Sequence, residues 1–222
     1  MQSGDQKVLD GSAIVLAGGS STRLGQDKGL LLLANRPLVR HVLDAVNGLV
    51  KEAIVVVSSR VQARNYVKCA GPNARVLVDA SNVQTPLVGA LTGFKSVEEE
   101  YSLVLSCDVP LVSKNVLSLL LDLSTHKSAV IPRWPNGCIE PLQSVYCTKL
   151  AEEAAQGALK EGRLNMQAMI DRLRGIRFVS TLVLEQLDPG LRTFFNVNTL
   201  LDLKKAEAIL KRVDAKSSLP PK

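Results

Sequence analysis

Two cations and three glycines crowd the segment after the apolar run Ala13 to Leu16, which reads Ala-Gly-Gly-Ser-Ser-Thr-Arg-Leu-Gly-Gln-Asp-Lys from Ala17 to Lys28. Gly18, Gly19 and Gly25 admit backbone conformations closed to other residues and let N–H groups approach an anion. Arg23 and Lys28 add charge-assisted donors. Together they predict the holding of a polyphosphate, and so nucleotide chemistry. The spacing is neither the Gly-x-x-x-x-Gly-Lys-Ser/Thr loop of ATPases nor the Gly-x-Gly-x-x-Gly dinucleotide fingerprint, which disfavours ATP hydrolysis and hydride transfer.

A second polar step, Ser106-Cys107-Asp108-Val109-Pro110, follows the apolar run Ser102 to Leu105. Asp108 is suited to a hard cation, because magnesium is held by one or two carboxylates plus substrate phosphates. The competing role is a cap on the turn before a helix near Lys114. Asp79 closes the run Arg75 to Val78, and Thr85-Pro86-Leu87-Val88-Gly89-Ala90 then opens a helix. That loop either reads a nucleobase through backbone groups or merely connects. Asn196 and Asn198 flank Val197 on an extended stretch, so their side chains face one way, as ligand contacts or as turn-formers. Neither His41, in a helical stripe, nor His126, in a connection, has a catalytic arrangement around it.

The elements that must position these groups alternate. Runs at Ala13–Leu16, Ala53–Val57, Arg75–Val78, Ser102–Leu105 and Ala129–Ile131 read as strands buried on both faces. Apolar stripes at Val39, Val42, Leu43, Val46 and Leu49, and at Val116, Leu119, Leu120 and Leu123, read as covering helices. A further strand is expected over Leu142–Tyr146, with helices near Lys149–Gln156, Leu164–Leu173 and Leu200–Arg212. Thr199 and Asp202 resemble a capping box for the last of these. The series favours a doubly wound α/β fold whose ligand crevice lies beyond the carboxyl ends of the strands, where both polar loops fall.

The chain has 222 residues and a formal net charge of +6, with 46% hydrophobic and 4% aromatic residues. This suits one domain and an anionic ligand, whereas the scarcity of aromatics and of dense Lys/Arg runs argues against nucleic acid. We expect a flexible tail over residues 1–12, one folded domain over 13–213 and a second tail over 214–222. The polar first ten residues and the lack of a membrane-length apolar run predict a cytoplasmic protein without membrane attachment. Cys69, Cys107, Cys138 and Cys147 lack zinc or disulfide spacing and are expected as small buried hydrophobes.

The opening Leu-Ala-Gly-Gly-x-x-x-Arg-Leu-Gly-x-Asp-Lys-x-Leu-Leu resembles that of molybdenum cofactor guanylyltransferases. The resemblance continues through Cys107-Asp108-x-Pro110, Glu140-Pro141-Leu142 with Tyr146, and Asn196-Val197-Asn198-Thr199 with Asp202-Leu203, covering about Ala13 to Leu210. Thr85 stands where the family loop commonly has glycine. Gly18 stands where the related cytidylyltransferases have alanine.

The resemblance implies a single-domain, Rossmann-like three-layer α/β/α fold with a mostly parallel mixed sheet. The implied reaction is magnesium-dependent transfer of GMP from GTP to molybdopterin with release of pyrophosphate. Leu16, Ala17, Gly18, Gly19, Gly25, Lys28, Asp79, Pro86, Leu87, Gly89 and Asp108 would bind the nucleotide. Arg23, Lys28 and Asp108 would serve catalysis, with Asp108 on magnesium. Arg133, Glu140, Asn196 and Asn198 would hold the acceptor. Transient contacts with proteins of cofactor biosynthesis or molybdoenzyme maturation are expected. The alternatives are a nucleotidyltransferase for another phosphorylated metabolite or sugar phosphate, and a silent nucleotide-binding partner of molybdoenzyme assembly.

Overall fold

The computed structural model describes residues 9–18, 27–79, 81 and 83–217. Its strands are β1 (Leu9–Leu16), β2 (Leu32–Leu33), β3 (Arg36–Pro37), β4 (Val50–Val57), β5 (Ala74–Val78), β6 (Tyr101–Ser106), β7 (Ala129–Arg133), β8 (Gln143–Cys147) and β9 (Ile176–Ser180). Its helices are α1 (Leu38–Val46), α2 (Arg60–Ala70), α3 (Pro86–Phe94), α4 (Lys114–Asp122), α5 (Thr148–Lys160), α6 (Met166–Ile170), α7 (Thr181–Leu184) and α8 (Leu200–Ser217).

Seven strands form one sheet in the order β5-β4-β1-β6-β8-β7-β9, and β2 pairs with β3 as a separate hairpin. All neighbours in the large sheet run parallel except β8, which is antiparallel to both β6 and β7. The alternation of strand and helix therefore yields the expected mostly parallel mixed sheet.

Both faces of the central strands are buried, which explains their unbroken apolar runs. Ala13, Val15 and Ala17 of β1 and its end face a cluster with α1, α2 and α4, while Ile14 packs with α3, α5 and α6 on the other side. Each fully buried Val, Leu or Ile contributes roughly 1.5–3 kcal/mol, so this two-sided core dominates the stability of the three layers. A smaller cluster joins Leu31, Leu33 and Leu38 to Val197 and Ala206, seating α8 on the β2–β3 hairpin.

Several boundaries differ from the sequence reading. β1 starts at Leu9 rather than Ala13: Leu9 pairs with Val50 and Gly11 with Tyr101, and buried Ser12 donates to Glu52 at 3.1 Å. Pairing on both sides recruits a polar stretch that has no strand pattern of its own. α8 runs to Ser217, past Arg212. The helix expected over Leu164–Leu173 starts only at Met166, because Asn165 caps it by accepting from Ala168 N at 2.9 Å, and it ends at Ile170. Cys138 is exposed and only Cys107 is buried, contrary to the expectation for all four cysteines.

Candidate active site

Parallel pairing brings Leu16 of β1 beside Ser106 of β6, so the two polar loops leave the sheet side by side. Cys107 N donates to Leu16 O at 3.0 Å, and Ala17 N to Val56 O at 2.8 Å. Ala17 thus has no N–H left for a ligand. A pocket of about 160 Å³ opens at these carboxyl ends, lined by Leu16, Gly18, Asp79, Pro86, Gly89 and Ser106. Leu87 lies wholly inside the core and presents no side chain to it.

Asp79 accepts from Ser81 N at 3.0 Å and Thr92 Oγ1 at 3.4 Å, which holds its carboxylate at the pocket wall. Thr85 caps α3 by accepting from Val88 N, so hydroxyl capping serves where the family loop has glycine. A Cβ on Gly18 would stand 3.2 Å from Ser58 N. The end of β1 and the chain leaving β4 lie close enough there that a side chain would need a small local shift.

Lys28 Nζ donates to Asp108 Oδ2 at 3.0 Å and also to Asn198 Oδ1. Ser106 Oγ donates to Asp108 Oδ1 at 2.5 Å. The pair is only partly shielded, with side-chain exposures of 25% and 14%. Asp108 does not cap α4; Ser113 precedes that helix, and Ser113 N donates to Thr193 Oγ1 at 3.0 Å. Gly19, Arg23 and Gly25 lie outside the described residues.

The chain's far end reaches this centre through a backbone bond, Val197 N to Asp108 O at 2.8 Å. The two asparagines part company. Asn198 meets Lys28, whereas Asn196 donates back to Phe194 O at 3.3 Å and forms its own turn. Behind them, fully buried Asp188 accepts from Arg192 Nε, Thr193 N and Thr193 Oγ1 at 2.7–2.8 Å. Such a carboxylate is tolerable only with this many donors. The capping box forms as expected, with Thr199 N to Asp202 Oδ2 at 2.9 Å and Asp202 N to Thr199 Oγ1 at 3.1 Å. The Thr199 hydroxyl and neighbouring N–H groups hold Asp202 below the usual carboxylate range.

At the other wall, Arg133 is exposed with its guanidinium 5.4 Å from the Phe178 ring centre. Glu140 accepts the Trp134 indole N–H at 2.6 Å, and Trp134 packs edge-on against Phe194. His41 bonds to Leu33 O and His126 lies in an exposed turn, with no part in this centre.

Ser58, Gln62 and Tyr66 gave no signal in the sequence reading. Ser58 N donates to Gln62 Oε1 at 3.0 Å, Gln62 Nε2 to Asp27 Oδ2 at 2.8 Å, and Tyr66 Oη to Asp27 Oδ1 at 2.5 Å. Asp27 in turn caps the short turn Lys28–Leu30, accepting from Gly29 N at 3.3 Å. Burial, then the neighbouring Cys107 and Asp27, push the Tyr66 phenol far up. It remains a proton donor throughout the working pH range. Burial, with Asp108 and Asp27 adding, likewise raises the Cys107 thiol, against a smaller opposing pull from Lys28.

A single carboxylate in a partly open crevice suits magnesium, which takes its other ligands from phosphates and water. Each Asp108 oxygen keeps a lone-pair direction beyond its one bond to Ser106 or Lys28. Among the described residues no group of three or more His, Cys, Asp or Glu could hold a metal unaided. None of the described helices is long and apolar enough to cross a membrane.

A family model described as a MobA-like NTP transferase domain matches residues 13–176. A probable molybdenum cofactor guanylyltransferase of Methanosarcina mazei is 31% identical, the match covering 91% of this chain and 92% of that protein. A molybdenum cofactor guanylyltransferase of Desulfosudis oleivorans is also 31% identical, over 90% and 96% of the two chains. Among solved structures, molybdopterin-guanine dinucleotide biosynthesis protein A of Archaeoglobus fulgidus shares the fold with a TM-score of 0.76 at 24% identity, covering 90% of this chain and 99% of that one.

Proposed function

Because the chain belongs to the MobA-like NTP transferase family, and is thereby a nucleotidyltransferase, we propose that it transfers GMP from GTP to molybdopterin and releases pyrophosphate. The observation that carries the reading is the Lys28–Asp108 pair, set where two parallel strands end beside the pocket of Leu16, Asp79 and Gly89. The names of the relatives support the choice of base and acceptor.

In this reading the base enters the pocket between Leu16 and Gly89, against Asp79 and the start of α3. The triphosphate lies over Lys28 and the glycine-rich loop with Arg23. A terminal phosphate oxygen of the acceptor attacks the α-phosphorus; a new P–O–P linkage forms, the bond from the α-phosphorus to its bridging oxygen breaks, and pyrophosphate leaves with the electron pair. The protein needs no nucleophile of its own, so positioning and charge neutralisation carry the rate. Lys28 stabilises the charge that develops on the triphosphate. Asp108, held by Ser106, would bind magnesium, which when present supplies divalent charge to the phosphate oxygens. Asn198 steadies the Lys28 ammonium, and Arg133 with the Glu140–Trp134 wall receives the acceptor. The enzyme works in the cytoplasm, in transient contact with proteins of the same biosynthetic sequence.

Purified protein offered GTP, CTP, ATP and UTP with magnesium and molybdopterin tests this directly. Pyrophosphate release and a guanine dinucleotide product are expected with GTP alone. Equal turnover of another nucleotide, or of a sugar phosphate in place of molybdopterin, would contradict it.

A further inference from the structure

Tyr66 is fully buried, yet its hydroxyl stands where the two chain segments of the transfer centre converge. It donates to Asp27 Oδ1 at 2.5 Å, and it interacts with the Cys107 thiol. Asp27 immediately precedes Lys28, and Cys107 immediately precedes Asp108. One oxygen therefore bonds to the residue before Lys28 and lies beside the thiol of the residue before Asp108, both against Gly29.

The packing leaves no slack. A Cβ on Gly29 would overlap the Tyr66 hydroxyl and stand 3.1 Å from Cys107 Sγ. Glycine at position 29 is what lets the Lys28 turn lie against both groups. Gln62 Nε2 fixes the second oxygen of Asp27 at 2.8 Å, so the carboxylate cannot swing. Rigid peptide planes carry this constraint one residue onward to Lys28 and Asp108.

We propose that Tyr66 is a positioning residue for nucleotidyl transfer, locking Asp27 and Cys107 together so that the Lys28 ammonium meets Asp108 in the geometry the reaction needs. The proposal rests on Lys28 and Asp108 being the transfer centre. Tyr66 itself touches no substrate and moves no proton. Its hydroxyl can be removed without removing its ring, which separates placement of the ion pair from packing of the core.

Tyr66→Phe is expected to lower kcat by about 10- to 100-fold, the cost of a small misplacement near reacting groups. The KM for the acceptor should stay at its wild-type value, and the thermal midpoint should fall only by the few degrees that one lost buried hydrogen bond costs. In a Lys28→Ala background the same substitution should cause no further loss, because both changes act through one group. Without nucleotide, the Lys28 Nζ resonance in ¹⁵N-lysine-labelled protein should shift in Tyr66→Phe. It should move the same way in Asp27→Asn, which keeps the side chain's shape while weakening the bond to Tyr66. Wild-type kcat in Tyr66→Phe, losses that multiply with those of Lys28→Ala, or an unmoved Lys28 resonance would each overturn the proposal. A wild-type enzyme that releases no pyrophosphate from GTP would defeat the functional reading instead, and the Lys28 resonance would still decide whether Tyr66 places the ammonium.

Discussion

At the proposed nucleotide end of the crevice, Asp108 follows the tip of β6, Lys28 opens the short turn Lys28–Leu30, and side chains of α2 grip the residue next to Lys28. At the proposed acceptor end, Arg133 closes β7 and Glu140 lies in the connection to β8; Arg133 sits over the Phe178 ring and Glu140 accepts from the Trp134 indole. One end is braced from beneath by Tyr66. The other leaves Arg133 exposed at the carboxyl end of β7. A braced end fits a reaction in which charge must be neutralised at a fixed point, and a looser end fits the entry of an acceptor.

This contrast makes the expected effects fall in order. Asp108→Ala should be the most damaging, lowering pyrophosphate release by about 1,000-fold or more and abolishing its magnesium dependence, because it removes both the proposed cation ligand and the partner of Lys28. Persisting magnesium-stimulated turnover would break the contrast at its firm end. Lys28→Ala should lower kcat by about 100- to 1,000-fold. Its melting temperature should scarcely move, since a partly exposed ion pair contributes only ~0–1 kcal/mol.

Arg133→Ala should act on the other end alone, raising the acceptor KM by about 10-fold through a lost charge-assisted bond while the GTP KM stays unchanged. A matching rise in the GTP KM would show that the two ends are not separate. Asn196→Ala, whose side chain serves its own turn, should change either KM by less than about twofold. Asn198→Ala should act on kcat instead, because it frees the Lys28 ammonium.

The cysteines give a further comparison of shielded and open positions. Burial raises the Cys107 pKa, so less thiolate is present at any pH and alkylation is slowed. Iodoacetamide should therefore label exposed Cys138 in the native protein and reach Cys107 only on unfolding. Rapid native labelling of Cys107 would show that the packing beneath the ion pair is open.

Legibility in the sequence follows the same division. Gly18, Asp79 and Asp108 stand out because each closely follows a short apolar run, where ligands gather in an open α/β sheet, and Lys28 because it shares a glycine-rich loop with a second cation. The capping box of α8 was readable because Thr199 and Asp202 are three residues apart. The brace was not readable. Tyr66 and Asp27 are 39 residues apart, and α2 hides its orientation: Val61 and Val67 are 68% and 61% exposed, while Tyr66 and Ala70 face inward. Ser59 before α2 and Gly71 after it, at φ +76°, mark the helix ends. Nothing local marks its inner face. Asn196 and Asn198 shared one sequence pattern yet differ in role, because only Asn198 lies within reach of Lys28, 170 residues away. The buried knot at Asp188 likewise depends on Thr193 meeting the start of α4.

A crystal structure with a non-hydrolysable GTP analogue and magnesium should show the guanine between Leu16 and Gly89, and the α-phosphate within hydrogen-bond reach of Lys28 Nζ. Nucleotide bound instead in the cleft of about 410 Å³ at the opposite ends of the strands, among Arg40, Asp44, Glu52 and Arg75, would contradict that placement.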